Sequence, residues 1–422
     1  GYGLTLASSL LTSGRVGDRV GRRRLFSLGV GVFTITSLLC ALATTPELLI
    51  IARLVQGIGA AMIMTSMLSL IGVLFQGPDR ARAISVYGMV MGVAAAGGQI
   101  IGGALIQADV LGLGWRAIFL INVPVGLGIM ILAPRVVPES RADHPARLDP
   151  VGLILLTATV TALVFPLIDG QQAGWPAWSW GVLALSALLL AGTVWQQSRL
   201  ARRGGEPLFP PALAAVRTFR VGLALQLVYW CGQASFYLFL ALYLQRARGL
   251  SALDSGLMFS VLAVAYLATS MNAPALAERH GRRLVALGAV TIMAGHLALL
   301  AALGAGASGS LWLLAPGLIA VGAGQGWCIT PLASIVLAHA EPAQAGTVTG
   351  ALSTTQQVGN CLGIAVIGVI YFGTGSGSTP AAFGWSLVAL VGVSLLVIAL
   401  GRLLPRPASD LASSKKLEEA PA

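Results

Sequence analysis

The chain is a succession of apolar stretches, each long enough to cross a bilayer, broken by short turns that hold nearly all its charge. A hydrocarbon core of about 30 Å takes about 20 residues of helix. Inside it, every backbone N–H and C=O must be satisfied within the protein. Many windows exceed 18 residues with no charge and show no alternation of apolar and polar positions. That selects helices over a spanning β-barrel. Hydrophobic residues make up 56% of the chain and charged ones 10%, against about 45–50% and 25% in soluble domains. The net charge of +11 sits in short arginine turns between apolar runs. This is a topology signal, so no nucleic-acid role is expected.

Spans are expected near 1–13, 25–44, 47–75, 83–107, 117–134, 151–169 and 178–197, then near 220–244, 252–275, 285–304, 311–338, 346–372 and 382–404. Of the 26 basic residues, 22 fall in alternate connections, which also include the C-terminal tail. The opposite connections carry only Arg116, Arg246 and Arg248, and Arg53 lies within a span. The bias puts the arginine turns and the C-terminus in the cytoplasm.

Two of those turns are copies. The first runs Gly14-Arg15-Val16-Gly17-Asp18-Arg19-Val20-Gly21-Arg22-Arg23-Arg24; the second keeps Glu278-Arg279-His280-Gly281-Arg282-Arg283. A recurring acid, arginine, glycine and arginine pair implies a duplicated protein whose copies face the same side. Eight expected spans separate the copies, whereas two parallel six-span halves would give six. Two spans are therefore inserted in the middle. A single span precedes the first copy and two precede the second within its half, so the parent is expected to have fourteen spans and this chain to lack the first.

The residues resemble the major facilitator superfamily, in its fourteen-span drug:proton antiporter (EmrB/QacA-like) branch. Gly14 to Arg24 is similar to the superfamily's signature loop. Arg53-Leu54-Val55-Gln56-Gly57-Ile58-Gly59-Ala60 resembles the motif of the fourth span. Trp115-Arg116 with Phe119 to Gly126 resembles the start of the sixth span, and Gly346 to Gly363, with Gln356 and Gln357, the thirteenth. Gly98-Gln99-Ile100-Ile101-Gly102-Gly103 departs from the antiporter motif by placing Gln99 where proline belongs. A less kinked helix and an amide offered to the cavity are the expected consequences.

The resemblance implies an all-α polytopic membrane protein with two six-helix halves plus two inserted central helices. The expected division is 1–134 for the N-terminal half without its first span, 135–218 for the two inserted spans, 219–404 for the C-terminal half, and 405–422 for a disordered cytoplasmic tail. It also implies a conformational latch in Gly14, Asp18, Arg19, Gly21, Arg22 and Arg23, partly matched by Glu278, Arg279, Gly281, Arg282 and Arg283. Asp18 can pair with a nearby arginine or cap a helix of the other half. Arg53, Gln56, Gly57 and Gln99 are expected at the cavity or in coupling, because an unpaired charge within a span costs roughly 2.5–3.5 kcal/mol.

Polar and aromatic side chains within apolar spans are the substrate-site candidates: Met62, Met67, Tyr229, Trp230, Gln233, Tyr237, Gln325, Trp327, Gln356 and Asn360. Such a lining suits a bulky lipophilic or cationic solute. Paired glycines four apart, Gly88/Gly92, Gly98/Gly102, Gly346/Gly350 and Gly359/Gly363, permit close helix crossings. His296 reads as structural, and Cys40, Cys231, Cys328 and Cys361 as small buried residues without metal-ligand spacing. No acidic residue lies at a span centre; branch members typically carry an aspartate in the first span.

The resulting expectation is proton-coupled efflux of hydrophobic or amphiphilic compounds across a bacterial plasma membrane. It would proceed by alternating access, in a monomer, with no cofactor beyond the proton gradient. Proton-coupled uptake on the same fold, or a non-transporting membrane sensor or scaffold, are the alternatives. Scattered histidines give no support to an enzyme.

Overall fold

The computed structural model describes residues 2–109, 112–141, 149–205, 207, 216–304, 310–337, 345–374 and 380–404. They are helical throughout, with no strand among the described residues. The helices are α1 (Tyr2–Val20), α2 (Arg22–Ala41), α3 (Pro46–Leu74), α4 (Gly77–Gln107), α5 (Ala117–Leu120), α6 (Asn122–Val136) and α7 (Pro150–Gln172). There follow α8 (Ala177–Arg202), α9 (Arg217–Leu242), α10 (Ala252–His280), α11 (Arg282–Gly304), α12 (Ala315–Leu337), α13 (Ala345–Gly373) and α14 (Pro380–Gly401). Among the described residues ten segments are long and apolar enough to cross a membrane, with Gly114–Val136 counting as one. Helices α1, α4 and α7 cover the other three expected spans but fall outside that set.

Local sequence accounts for the breaks. Thr45 caps α3, its hydroxyl accepting from the Leu48 amide at 3.3 Å, and Pro46 takes the first turn, where its missing N–H is no loss. Ser251 does the same for α10 through the Asp254 amide at 3.1 Å. The span expected as one helix over 117–134 is divided at Ile121. Pro124 cannot donate to the Leu120 carbonyl four residues back. Helix α4, by contrast, runs through Gln99 without interruption, as a glutamine in place of proline allows.

Packing repeats between the halves. In the N-terminal half α3 packs on α1 and α2, and α2 on α6. In the C-terminal half α12 packs on α10 and α11, and α11 on α14. The same glycines make the crossings. A Cβ on Gly57 would run into the Tyr2 carbonyl and Thr5 hydroxyl of α1, and one on Gly322 into the Leu262 carbonyl of α10. Gly29 and Gly59 close α2 on α3, a Cβ on either lying 3.0 Å from the other's carbonyl, and Gly288 and Gly324 close α11 on α12 likewise, at 2.7 and 2.5 Å. The second set, Gly322-Ala323-Gly324, is a copy of Gly57-Ile58-Gly59 that the charged turns overshadow in the sequence. Lipid tails are as apolar as leucine, so such close approaches, rather than hydrophobic burial, hold helices together in a bilayer.

Among the described residues the halves meet along two seams, α1 against α13 and α4 against α10. The inserted hairpin α7–α8 lies beside the first seam, with α7 touching both α1 and α13. Every buried residue of α8 is polar: Ser179, Ser186, Thr193 and Gln197. They form a ladder onto α7. The Ser186 hydroxyl donates to the Thr159 carbonyl at 3.2 Å, and the hydroxyls of Thr159 and Thr193 lie 3.3 Å apart. At its end Asp149, buried at 8% exposure, accepts from Gln197 Nε2 at 2.6 Å, Gln196 Nε2 at 3.1 Å and the Gly152 amide at 2.8 Å. Neutral donors thus hold a buried carboxylate at the open end of the hairpin, beside the start of α7 and the last turns of α8. Asp149→Ala should cost roughly 1–3 kcal/mol, read as a lower thermal unfolding midpoint in detergent. Asp149→Asn, which keeps one acceptor oxygen, should lose less.

Candidate functional site

Three sets of residues carry the chemistry. The first is the pair of arginine turns. Gly21 enters α2 with φ 117° and Gly281 enters α11 with φ 49°, conformations that favour glycine. A Cβ on Gly21 would also meet the carboxylate of Glu139 at 2.6 Å. Asp18 pairs with Arg22 at 2.8 Å, one helical turn along its own loop. Of the two roles expected for Asp18, the structure displays the local pair. Glu139, which the sequence reading passed over, is the hub: it accepts from the Arg23 amide at 3.1 Å and lies 3.7 Å from both the Arg23 and Arg24 guanidinium groups. Its partners lie 116 residues away in the chain, so no local sequence signal marked it.

Each turn also binds the C-terminal end of that last helix, where carbonyls lack partners. Arg23 reaches the Val137 carbonyl at 3.3 Å. Arg282 reaches the carbonyls of Arg402 and Leu404 at 3.0 and 2.7 Å. Arg15 donates to the Pro207 carbonyl at 2.7 Å, tying the first turn to the connection that leaves the inserted hairpin. Gly14 sits in open space, while Arg19, Arg279 and Arg283 are exposed. The Glu278 side chain lies outside the described residues.

The second set centres on Arg53. Its guanidinium donates to Gln56 Oε1 at 2.7 Å and lies over the Tyr2 ring at 4.2 Å and the Phe119 ring at 5.5 Å. Gln56, at 0% exposure, passes the chain on to Ser37 at 2.6 Å. Among the described residues no carboxylate pairs with Arg53. Its charge is held by an amide and two aromatic faces, the arrangement a desolvated cation accepts. Arg53, Gln56 and Gly57 therefore meet in one place, and Tyr2 is the member that sequence reasoning missed. Met62 lies on the opposite crossing, its Cβ facing Gly29, and Met67 is exposed.

The third set lies between the halves and within the C-terminal half. At the end away from the arginine turns, Gly103 meets the Ala252 carbonyl and Gly256 meets the Gln99 carbonyl, each at 2.6 Å from a hypothetical Cβ. The backbone of Gln99 forms this seam while its side chain is exposed. Gly98 and Gly102, expected to form a crossing, face open space; the facing stripe is offset by one residue. Gly359 and Gly363 do close a crossing, against Leu227 and Cys231 of α9. Gly350 is described but Gly346 and Gly88/Gly92 fall on side-chain positions outside the described residues.

Tyr229, Gln233 and Gln325 converge on one cavity inside the C-terminal half, together with His296 and Ser394. The Tyr237 hydroxyl donates to Gln325 Oε1 at 3.1 Å and its ring stacks on Phe259, 5.6 Å between centroids. Trp230 stands edge-on to Tyr229. Trp327 donates to Asn272 at 3.3 Å, and Asn360 to Gln357 at 3.3 Å beside Gln356. These last residues lie outside that cavity.

The profile of the Major Facilitator Superfamily matches residues 1–364 and again 222–422. The chain belongs to the major facilitator superfamily. It is 37% identical over 375 residues to the probable actinorhodin transporter of Streptomyces coelicolor, covering 88% of this chain and 65% of that relative. It is 34% identical to the cephamycin export protein CmcT of Amycolatopsis lactamdurans, covering 96% and 82%. A further relative is the tetracenomycin C resistance and export protein of Streptomyces glaucescens, at 31% identity over 88% and 67% of the two chains. Among solved structures, the human organic anion transporter MFSD10 superposes with a TM-score of 0.64 at 18% identity, covering 95% and 82%. That likeness bears on the fold alone. The chain spans about two thirds of the length of the first of these relatives.

Within this superfamily member, the first turn should depend on Glu139. Glu139→Ala should lower the unfolding midpoint by the equivalent of roughly 1–2 kcal/mol, the scale of charge-assisted bonds to backbone amides. Glu139→Gln, which keeps an acceptor for the Arg23 amide, should lose less. Equal losses for the two variants would assign the stability to the ion pairs with Arg23 and Arg24.

Proposed function

We propose that this protein is an exporter of hydrophobic or amphiphilic small molecules in the fourteen-span drug:proton antiporter branch, working by alternating access and drawing on the proton gradient. The observation that carries the reading is the pair of seams. Two half-bundles with matching internal packing touch along α1/α13 and α4/α10, and α4/α10 is in backbone contact at the end opposite the arginine turns. Rigid halves joined along narrow seams are built to rock about a fixed central site.

Export, rather than uptake, is supported by the relatives named for antibiotic export and resistance. The branch is supported by the hairpin α7–α8 inserted between the halves. In this reading the arginine turns lie in the cytoplasm of a bacterial cell, beside the headgroups of the plasma membrane, and the protein acts as a monomer without a bound cofactor. Arg53 is the charge against which a proton-binding carboxylate, or an anionic part of the solute, is balanced. Tyr237, Trp230, Trp327, Gln356 and Asn360 offer aromatic and amide groups to the solute.

Everted vesicles containing the protein should take up a lipophilic fluorescent dye when energised, and a protonophore should abolish that uptake. Arg53→Ala should remove at least most of the activity while leaving the protein in the membrane. Net accumulation of the dye by whole cells would instead establish uptake, and transport indifferent to the protonophore would overturn proton coupling.

A further inference from the structure

The C-terminal half contains a mainly apolar cavity, with a few polar side chains in its wall, that the transport reading does not use. It lies inside the bundle of α9, α11, α12 and α14, among residues contributed by all four helices. Its volume is about 20 Å³, enough for one water molecule. His296 is buried at 3% exposure and Tyr229 at 4%. Among the described residues neither His296 Nε2 nor the Tyr229 hydroxyl has a hydrogen-bond partner. The other imidazole nitrogen, Nδ1, has only a long 3.5 Å approach to the Ser394 hydroxyl, which is itself committed to the Leu390 carbonyl at 2.9 Å. Gln233 and Gln325 add amides to the same wall, and Phe236 covers the imidazole, 5.2 Å between ring centres.

Leaving a buried donor or acceptor unmade costs roughly 1–3 kcal/mol for each group. Two such groups lining one cavity of one-water size, with two amides beside them, meet the requirement that a buried water find 2–4 polar partners. Among the described residues no Asp, Glu, Lys or Arg lines the cavity, so its wall offers no charge to pair with an ion. The ligand class is a neutral hydrogen-bonding molecule small enough to be water.

We infer that His296 and Tyr229 hold a structural water that joins α9 to α11 inside the C-terminal half. The water makes the four-helix core one body, so that it rocks without internal slip. The residue matching His296 by the 260-residue offset of the charged turns is Thr36, which bonds back to the Val32 carbonyl of its own helix at 2.7 Å.

The sign of a conservative substitution distinguishes a wet site from a dry one. With the water present, Tyr229→Phe removes one of its partners and lowers the unfolding midpoint of the full chain in detergent. Combined with His296→Leu, the loss should be smaller than the sum of the two single losses, because both act through the same molecule. A structure at a resolution that shows solvent should have one ordered density within about 2.7–3.2 Å of both His296 Nε2 and the Tyr229 hydroxyl. An unchanged or raised midpoint for Tyr229→Phe, as expected when an unsatisfied hydroxyl is deleted from a dry cavity, overturns the inference, as does absence of the density. Should His296→Leu fail to fold, Tyr229→Phe and the density decide by themselves.

Discussion

Backbone contact at glycine crossings is the constraint on which the remaining structure depends. A chain dissolved in lipid gains nothing from moving apolar side chains out of water at helix interfaces, so its helices associate where small residues let backbones touch. Gly57 and Gly59 fix α3 against α1 and α2, and Gly322 and Gly324 fix α12 against α10 and α11. These four residues set the distance between helices in each half. That distance brings Tyr2 of α1 over Arg53 of α3, and lets the cavity beside His296 form between α11 and α12. The same device, at Gly103 and Gly256, joins the two halves.

The inserted hairpin obeys the other rule open to a membrane helix. With serines and threonines rather than paired glycines at its contact face, α8 is held by side-chain hydrogen bonds as well as by close approach. Each such bond is worth only about 0.6–2 kcal/mol, so a ladder of several is needed. Asp149 terminates it with three neutral donors. Because α7 touches both α1 and α13, the hairpin rests on helices of both halves, beside the seam that relative motion of the halves would disturb.

Much of this architecture is legible in the sequence, because bilayer thickness and arginine placement are strong and local constraints. The expected spans, the inserted pair and the equivalence of the two turns follow from counting. The contacts that complete the turns do not. Glu139 lies 116 residues from Arg23, and nothing local distinguishes it from other acids in basic loops. The glycine stripe of α4 is visible as Gly98-Gln99-Ile100-Ile101-Gly102-Gly103, yet its facing register is a property of how α4 rotates against α10. That rotation selects Gly103 and leaves Gly98 and Gly102 open. Likewise Tyr229, Gln233 and Gln325 share a cavity, while Trp327 turns to Asn272, a division that helical spacing alone does not make.

Duplication has conserved mechanics more closely than chemistry. Both halves keep the left-handed glycine at the charged turn and the paired glycines at two crossings, and in each an arginine binds carbonyls ending the last helix, Arg23 in one and Arg282, one place earlier in the repeat, in the other. Their polar interiors differ. Offset by the 265 residues that separate the glycine pairs, Arg53 and Gln56 correspond to Leu318 and Val321, both apolar and buried in the C-terminal core. The partly buried cation therefore belongs to one half and the histidine cavity to the other. In the transport cycle proposed above, two bodies with similar packing and unequal interiors would rock against each other while the Arg53 charge is presented from one half.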